Sequence, residues 1–185
     1  MKRAVLLAGL IAGCGTADQS LMPLQVGQSA RYAVSADFIR FIGEVKVVRR
    51  SAVAGLDGFV LSGPMGESHV AWKGDTLIGD RFSNTRFEPA IPLVVGTDEP
   101  VQRTWKGSVQ GAWGKYDAVA TLAQRRVQEV DGKKLDAIKS ELTITSPNRK
   151  AIKLVTTFRP GIGIHSQRQW VGGDSIAEIE RISGS

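Results

Sequence analysis

The chain has 185 residues, 42% of them hydrophobic and 23% charged, with a formal charge of +6. That is enough for one well-buried domain and too short for two comfortable ones. A single cysteine excludes an internal disulfide, so stability must come from packing. The basic residues form pairs, Arg49-Arg50, Arg125-Arg126, Lys133-Lys134 and Arg149-Lys150, scattered near expected strand ends. A nucleic-acid surface would cluster them on one face with aromatic interleaving, so no nucleic-acid partner is expected. Weak attraction to an anionic membrane is one use for such charge, and solvated strand ends that resist edge pairing are a plainer one.

The N-terminus is a leader by composition. Lys2 and Arg3 precede an uncharged, mostly aliphatic run over residues 4–12, well short of the ~20 residues a spanning helix needs. The following Leu10-Ile11-Ala12-Gly13-Cys14 resembles the lipobox of bacterial lipoproteins, with Ile11 where that family usually has Leu. The resemblance implies cleavage after residue 13, lipidation of Cys14 and attachment to a membrane. More than one acyl chain on one residue would make that attachment lasting. Residues 1–13 are then a signal peptide, 14–22 a lipidated tether and 23–185 the folded domain. The mature chain keeps 22 basic against 18 acidic residues, a charge of +4. Gly15 after the cysteine resembles the pattern for the periplasmic face of the outer membrane in some Gram-negative bacteria.

From residue 31 onward strands dominate. Arg31-Tyr32-Ala33-Val34-Ser35 and Glu44-Val45-Lys46-Val47 alternate polar with apolar positions. Asp57-Gly58 and Lys73-Gly74-Asp75 supply turn chemistry, the second between His69-Val70-Ala71-Trp72 and Thr76-Leu77-Ile78. Residues 83–102 contain Pro89 and Pro92, which cannot donate within a central sheet, and this stretch is expected at an edge or as a connection. Trp105 to Val109 resumes the sheet. Val119, Leu122, Ala123, Val127 and Val130 fit a helical stripe, but Asp131-Gly132 and the alternating run after it favour a hairpin. Residues 152–158 form the clearest strand, and Pro160-Gly161-Ile162-Gly163 breaks it. Two further strands complete the sheet, although Ile176, Ile179 and Ile182 at helical spacing leave a short terminal helix open. The expectation is an all-β domain, a single curved antiparallel sheet or half-barrel meander with at most one short helix.

Three motifs together resemble a loose group of uncharacterised bacterial envelope lipoproteins. They are Pro23, Gly27 and Tyr32 before the first strand; Phe87-Glu88-Pro89 with Leu93 and Gly96 leading to Trp105; and Phe158-Arg159-Pro160-Gly161-Ile162-Gly163. A hairpin around Asp131-Gly132-Lys133 matches the group's central one. The resemblance implies a strongly curved sheet, loosely like the half-barrel of lipoprotein-carrier proteins, which hold acyl chains in the concave face. It implies no particular activity.

Catalytic chemistry is hard to assemble. His69 and His165 have no second ligand at metal spacing, so no metal or cofactor is expected. There is no Gly-x-Ser-x-Gly elbow, and Cys14 is taken by lipid. Ser68, His69 and Asp75 make a triad on paper only. Glu141 with Glu178 or Glu180 has no spacing argument as a carboxylate pair. Trp72, Trp105, Trp113 and Trp170 are candidate ligand-face aromatics, with plain core packing as the alternative. The expected protein is a non-enzymatic, membrane-anchored envelope lipoprotein that binds a hydrophobic or lipid-like ligand; the alternative is a docking role toward an envelope protein or cell-wall polymer.

Overall fold

The computed structural model describes residues 21–36, 38–112, 114–130 and 132–182. Twelve strands follow in chain order: β1 (Ser29–Ala36), β2 (Ile39–Val53), β3 (Leu56–Gly63), β4 (Gly66–Lys73), β5 (Thr76–Phe82), β6 (Thr85–Val95), β7 (Val101–Gly111), β8 (Gly114–Val130), β9 (Lys133–Thr145), β10 (Ile152–Arg159), β11 (Gly163–Val171) and β12 (Asp174–Arg181). Each pairs antiparallel with the next, and β1 pairs antiparallel with β12. The expected open half-barrel is therefore corrected to a closed twelve-strand barrel. Its closing ladder runs from Tyr32 opposite Arg181 to Ala36 opposite Ala177, extended by Ile182 N–H donating to Arg31 O at 2.9 Å. Closure removes the two rows of unpaired backbone groups that an open sheet of this length would expose.

Among the described residues every regular element is a strand. Residues 114–130 lie in β8, as the hairpin reading expects. The helical alternative at the C-terminus is overturned by β12. Gln169 faces Ala177 while Trp170 faces Ser175, so Ile176 is an extra residue in a bulge. A bulge lets residues three apart reach the same side of a strand. Ile176 and Ile179 both line the interior for that reason, and their spacing imitates a helix.

Residues 85–95 are also corrected, from an edge or connecting segment to β6, a strand inside the closed sheet. The proline argument holds locally. β6 pairs with β7 only from Arg86 to Glu88, and the ladder stops at Pro89. Trp105 on β7 spans the break, its indole N–H donating to Pro89 O at 3.1 Å. Beyond it β6 bypasses β7. The buried Gln124 amide on β8 accepts from Val95 N–H at 2.8 Å and donates to Val95 O at 2.8 Å and Thr97 O at 3.0 Å. Ser140 on β9 donates to Leu93 O at 2.5 Å. These bonds flatten the barrel, bringing β6 against the inner face of β8 and β9.

The interior packs in two main clusters. One joins Ile91 and Val95 of β6 to Trp105, Val109, Leu122 and Leu142. The other contains Leu21 and Met22, which plug one end of the barrel against Val47, Leu61 and Phe158. Trp72 donates its indole N–H to Met22 O at 3.4 Å and so helps hold the plug. Tyr32 is buried nearby and donates to Ile164 O at 2.9 Å; burial raises its phenol pKa above the usual value.

Candidate ligand-binding cavity

An eight-strand barrel is just wide enough for side chains to fill it. Twelve strands enclose more, and the flattening described above fills only the side near β6 to β8. What remains is an interior space of about 340 Å³ between β6, β9, β10, β11 and β12. A smaller space of about 100 Å³ lies toward the plugged end and shares Met65, Phe82, Leu93, Leu142, Leu154 and Gln167 with it. An apolar cavity of about 150 Å³ accommodates a benzene ring. The larger space is more than twice that size.

Strand periodicity produces the lining. Ile152 and Leu154 alternate inward on β10, opposite Val171 and Gln169 of β11, with Gln167 opposite Thr156. Gln167 donates its amide N–H to Thr156 Oγ1 at 3.1 Å, so these polar inward groups satisfy one another. Phe82 and Phe87 meet edge to face at 5.7 Å between centroids, and Phe87 meets Trp105 in the same manner at 6.1 Å. The wall is thus mainly aliphatic and phenyl, with amide and hydroxyl groups on one side. That composition suits an apolar ligand with a few polar groups. Met65, in the turn between β3 and β4, is half exposed and reaches both spaces. It lies at the end of the barrel opposite the Leu21–Met22 plug, together with Ser83 and Thr85 from the β5–β6 hairpin.

The residues singled out from sequence are dispersed. Cys14 and Trp113 lie outside the described residues. Trp72 supports the plug, Trp105 bridges β6 and β7, and Trp170 faces outward opposite Lys153; none of these three lines the cavity. Ser68 faces the cavity while its neighbour His69 faces the outer surface, and Asp75 sits in the β4–β5 turn, paired with Arg103 at 3.6 Å. The paper triad does not form. Glu141 pairs with Lys153 at 2.7 Å and Glu178 with Arg168 at 2.7 Å, on strands separated by β10 and β11. Glu180 lies 4.0 Å from Lys133. His165 is the extra residue of a β11 bulge and is half-buried; burial, then the Arg159 charge, hold its pKa below the usual imidazole value. Among the described residues no group of three or more His, Cys, Asp or Glu could hold a metal ion.

Sequence reasoning passed over Phe82, Met65 and Gln167, and met Phe87 only within a motif. The pattern Gln167-x-Gln169 on a strand opposite Leu154 and Thr156 was the available signal. It places amides at inward positions that a packed core would give to aliphatic residues.

No protein-family model and no curated protein matches the sequence. Among solved structures, the chain is similar to a candidate lipoprotein from Parabacteroides distasonis, with a TM-score of 0.50 and 8% identity over 87% of this chain and 96% of that one. It is also similar to a candidate exported protein with a YmcC-like fold from Bacteroides fragilis, with a TM-score of 0.46 and 12% identity over the same shares. The first likeness establishes a shared fold.

Proposed function

We propose that this protein is a non-enzymatic lipoprotein of the bacterial envelope, anchored at Cys14, that holds a hydrophobic or lipid-like ligand inside its barrel. The observation that carries the reading is the apolar cavity of about 340 Å³ in a barrel plugged at one end. Its Gln167–Thr156 pair offers an orienting contact to a ligand's polar end. The lipobox pattern and the candidate-lipoprotein name of the Parabacteroides neighbour support the location, and Gly15 supports the periplasmic face of the outer membrane. The test is native mass spectrometry of the whole chain carrying Cys14→Ser, exported and purified from the periplasm. A reproducible added mass released by organic solvent is the expected result. A clean protein mass, under conditions where a lipid carrier retains its ligand, would overturn it.

A second reading, docking to an envelope protein, is favoured by a different feature. The β1–β2 hairpin projects Phe38, Ile39, Phe41 and Ile42 from the rim, with Phe38 fully exposed and Ile39 and Ile42 more than half exposed. Ile39 and Phe41 alternate with Ile42, so apolar side chains occupy both faces of the hairpin, and no register could bury them all against the barrel. Phe38→Asp with Ile42→Asp should abolish any envelope cross-link the chain makes while leaving the barrel folded; an unchanged cross-link pattern would count against docking through this hairpin.

A further inference from the structure

The outer wall carries a second site. Ladder pairs connect His69 of β4 with Arg81 of β5, Arg81 with Arg86 of β6, Arg86 with Gln110 of β7, and Gln110 with Lys115 of β8. Directly paired residues point to the same face of a sheet. The five side chains therefore form one row across five strands, lining a groove of about 450 Å³. Ser51 and Ala52 of the long β2–β3 hairpin close one side. That hairpin is seated on the outer wall by Val53, fully buried against Ala71 and Ile78.

Two features of this row have no structural explanation within the fold. Arg81 and Arg86 stand directly opposite one another, an arrangement that destabilises a strand pair. Among the described residues neither has an ion pair, whereas Lys115 at the end of the row is held by Glu88 at 3.1 Å. The second is a double irregularity at Asp80. The register shifts here against both β4 and β6, between His69 and Val70 on one side and between Gly79 and Arg81 on the other. The bulge turns Asp80 and Arg81 toward the same groove. Asp80 Oδ1 lies 3.7 Å from His69 Nδ1, beyond hydrogen-bond distance, and Asp80 Oδ1 and His69 Nε2 are buried with no hydrogen-bond partner. Glu67 is 3.9 Å from His69 Nε2 and equally far from Arg49. Glu67 and Asp80 thus lie around the imidazole and Glu88, also lining the groove, pairs with Lys115, so that among the described residues neither guanidinium has an ion pair.

We propose that this groove binds a phosphate group through Arg81 and Arg86, with Lys115 and Gln110 at one end and His69 at the other. Two facing guanidiniums present forked donors to tetrahedral oxygens, and an anion between them converts a repulsion into two charge-assisted contacts. The phosphate comes either from a lipid headgroup or from a soluble phosphoester, and the same chemistry serves both.

The two histidines make a direct test possible. The whole chain carrying Cys14→Ser, ¹³C-labelled in histidine, gives two ring Cε1–H signals, and His165→Gln assigns them. At constant ionic strength and pH, inorganic phosphate should move the His69 signal saturably and leave His165 in place. Arg86→Gln and Arg81→Gln remove surface charges and leave the barrel intact, as circular dichroism would verify. Each should weaken the response by on the order of tenfold, the scale of one charge-assisted hydrogen bond. A His69 response to phosphatidylglycerol vesicles but not to phosphatidylcholine vesicles supports the headgroup source. A response to inorganic phosphate and glycerol phosphate without one to vesicles supports the soluble source. An equal response to chloride, a joint movement of both histidines, an unaltered response in both arginine variants, or no response to any probe would overturn the proposal. None of these outcomes depends on whether the interior cavity is occupied.

Discussion

Gln124→Leu is the sharpest probe of how the barrel is held in shape. Leucine preserves most of the volume and removes three hydrogen bonds, one accepted from Val95 N–H and two donated to Val95 O and Thr97 O. Val95 is almost fully buried, so its N–H would lose its partner away from water, while its C=O keeps the Thr97 N–H at 2.8 Å. A buried group left unsatisfied costs about 1–3 kcal/mol, which places the total at about 2 kcal/mol. For a domain of this size each kcal/mol lowers Tm by about 2–4 °C, so a fall of about 4–8 °C is expected. Urea unfolding followed by tryptophan fluorescence would measure it, with Trp105 reporting beside the β6–β7 break. Gln124→Glu keeps the acceptor for Val95 N–H, loses both donors and buries a charge, and should be at least as destabilised. If Gln124→Leu unfolds within about 0.5 kcal/mol of the unsubstituted chain, then β6 does not depend on this amide after leaving β7. The account of the flattened barrel would fail with it.

Three further outcomes are expected. Leu154→Phe projects into the cavity shared by both interior spaces; it should abolish the solvent-releasable mass in native mass spectrometry while changing stability by no more than the roughly 1–3 kcal/mol typical of overpacking. Loss of more than that by urea denaturation would mean the space is smaller than described. Ala54 holds a φ of 50° beside Gly55 at 79° in the β2–β3 turn, a left-handed pair that favours Asn-Gly. Ala54→Asn should raise stability by about 0.5–1 kcal/mol, read as a higher urea midpoint, and a lower midpoint would refute the strain. His165 has a folded-state pKa below its ordinary 6.5, so on acidification the unfolded chain takes up the proton first. Its contribution to stability is complete above pH 6.5 and is lost as pH falls through the lower folded value. His165→Gln should flatten that part of the stability profile between pH 7 and 5; an unchanged slope would refute the assignment.

Much of the strand content was legible because the inward face repeats every second residue. Tyr32 and Val34, Val45 and Val47, and Leu142 and Ile144 could be placed from their spacing alone. Bulges were not legible, since an extra residue such as Ile176 shifts the period without any composition signal. Pro89 marked a real break in one ladder, but the sequence holds no sign that Gln124, on another strand, continues the pairing in β7's place. The cavity was anticipated as a concave aromatic face, and its wall proved aliphatic and phenyl. Tryptophans found structural partners for their indole N–H groups at Met22 and Pro89, which long-range folding alone brings within reach. The Arg81–Arg86 row was hidden for a related reason. Five residues on five strands become neighbours only through register.

The pairing of β1 with β12 also bears on how the protein is made. The two strands lie at opposite ends of the described chain, so the barrel cannot close until the last strand is available. A chain delivered across a membrane from its N-terminus would emerge with β1 first. That strand could pair with β2 at once, but its other edge would stay open while ten more strands arrive. Closure is therefore a late event that depends on the most distant contact in the fold, the kind that slows folding. Until then the open edge is a template for the wrong partner. Folding that waits for the whole chain is the order of events this topology suits.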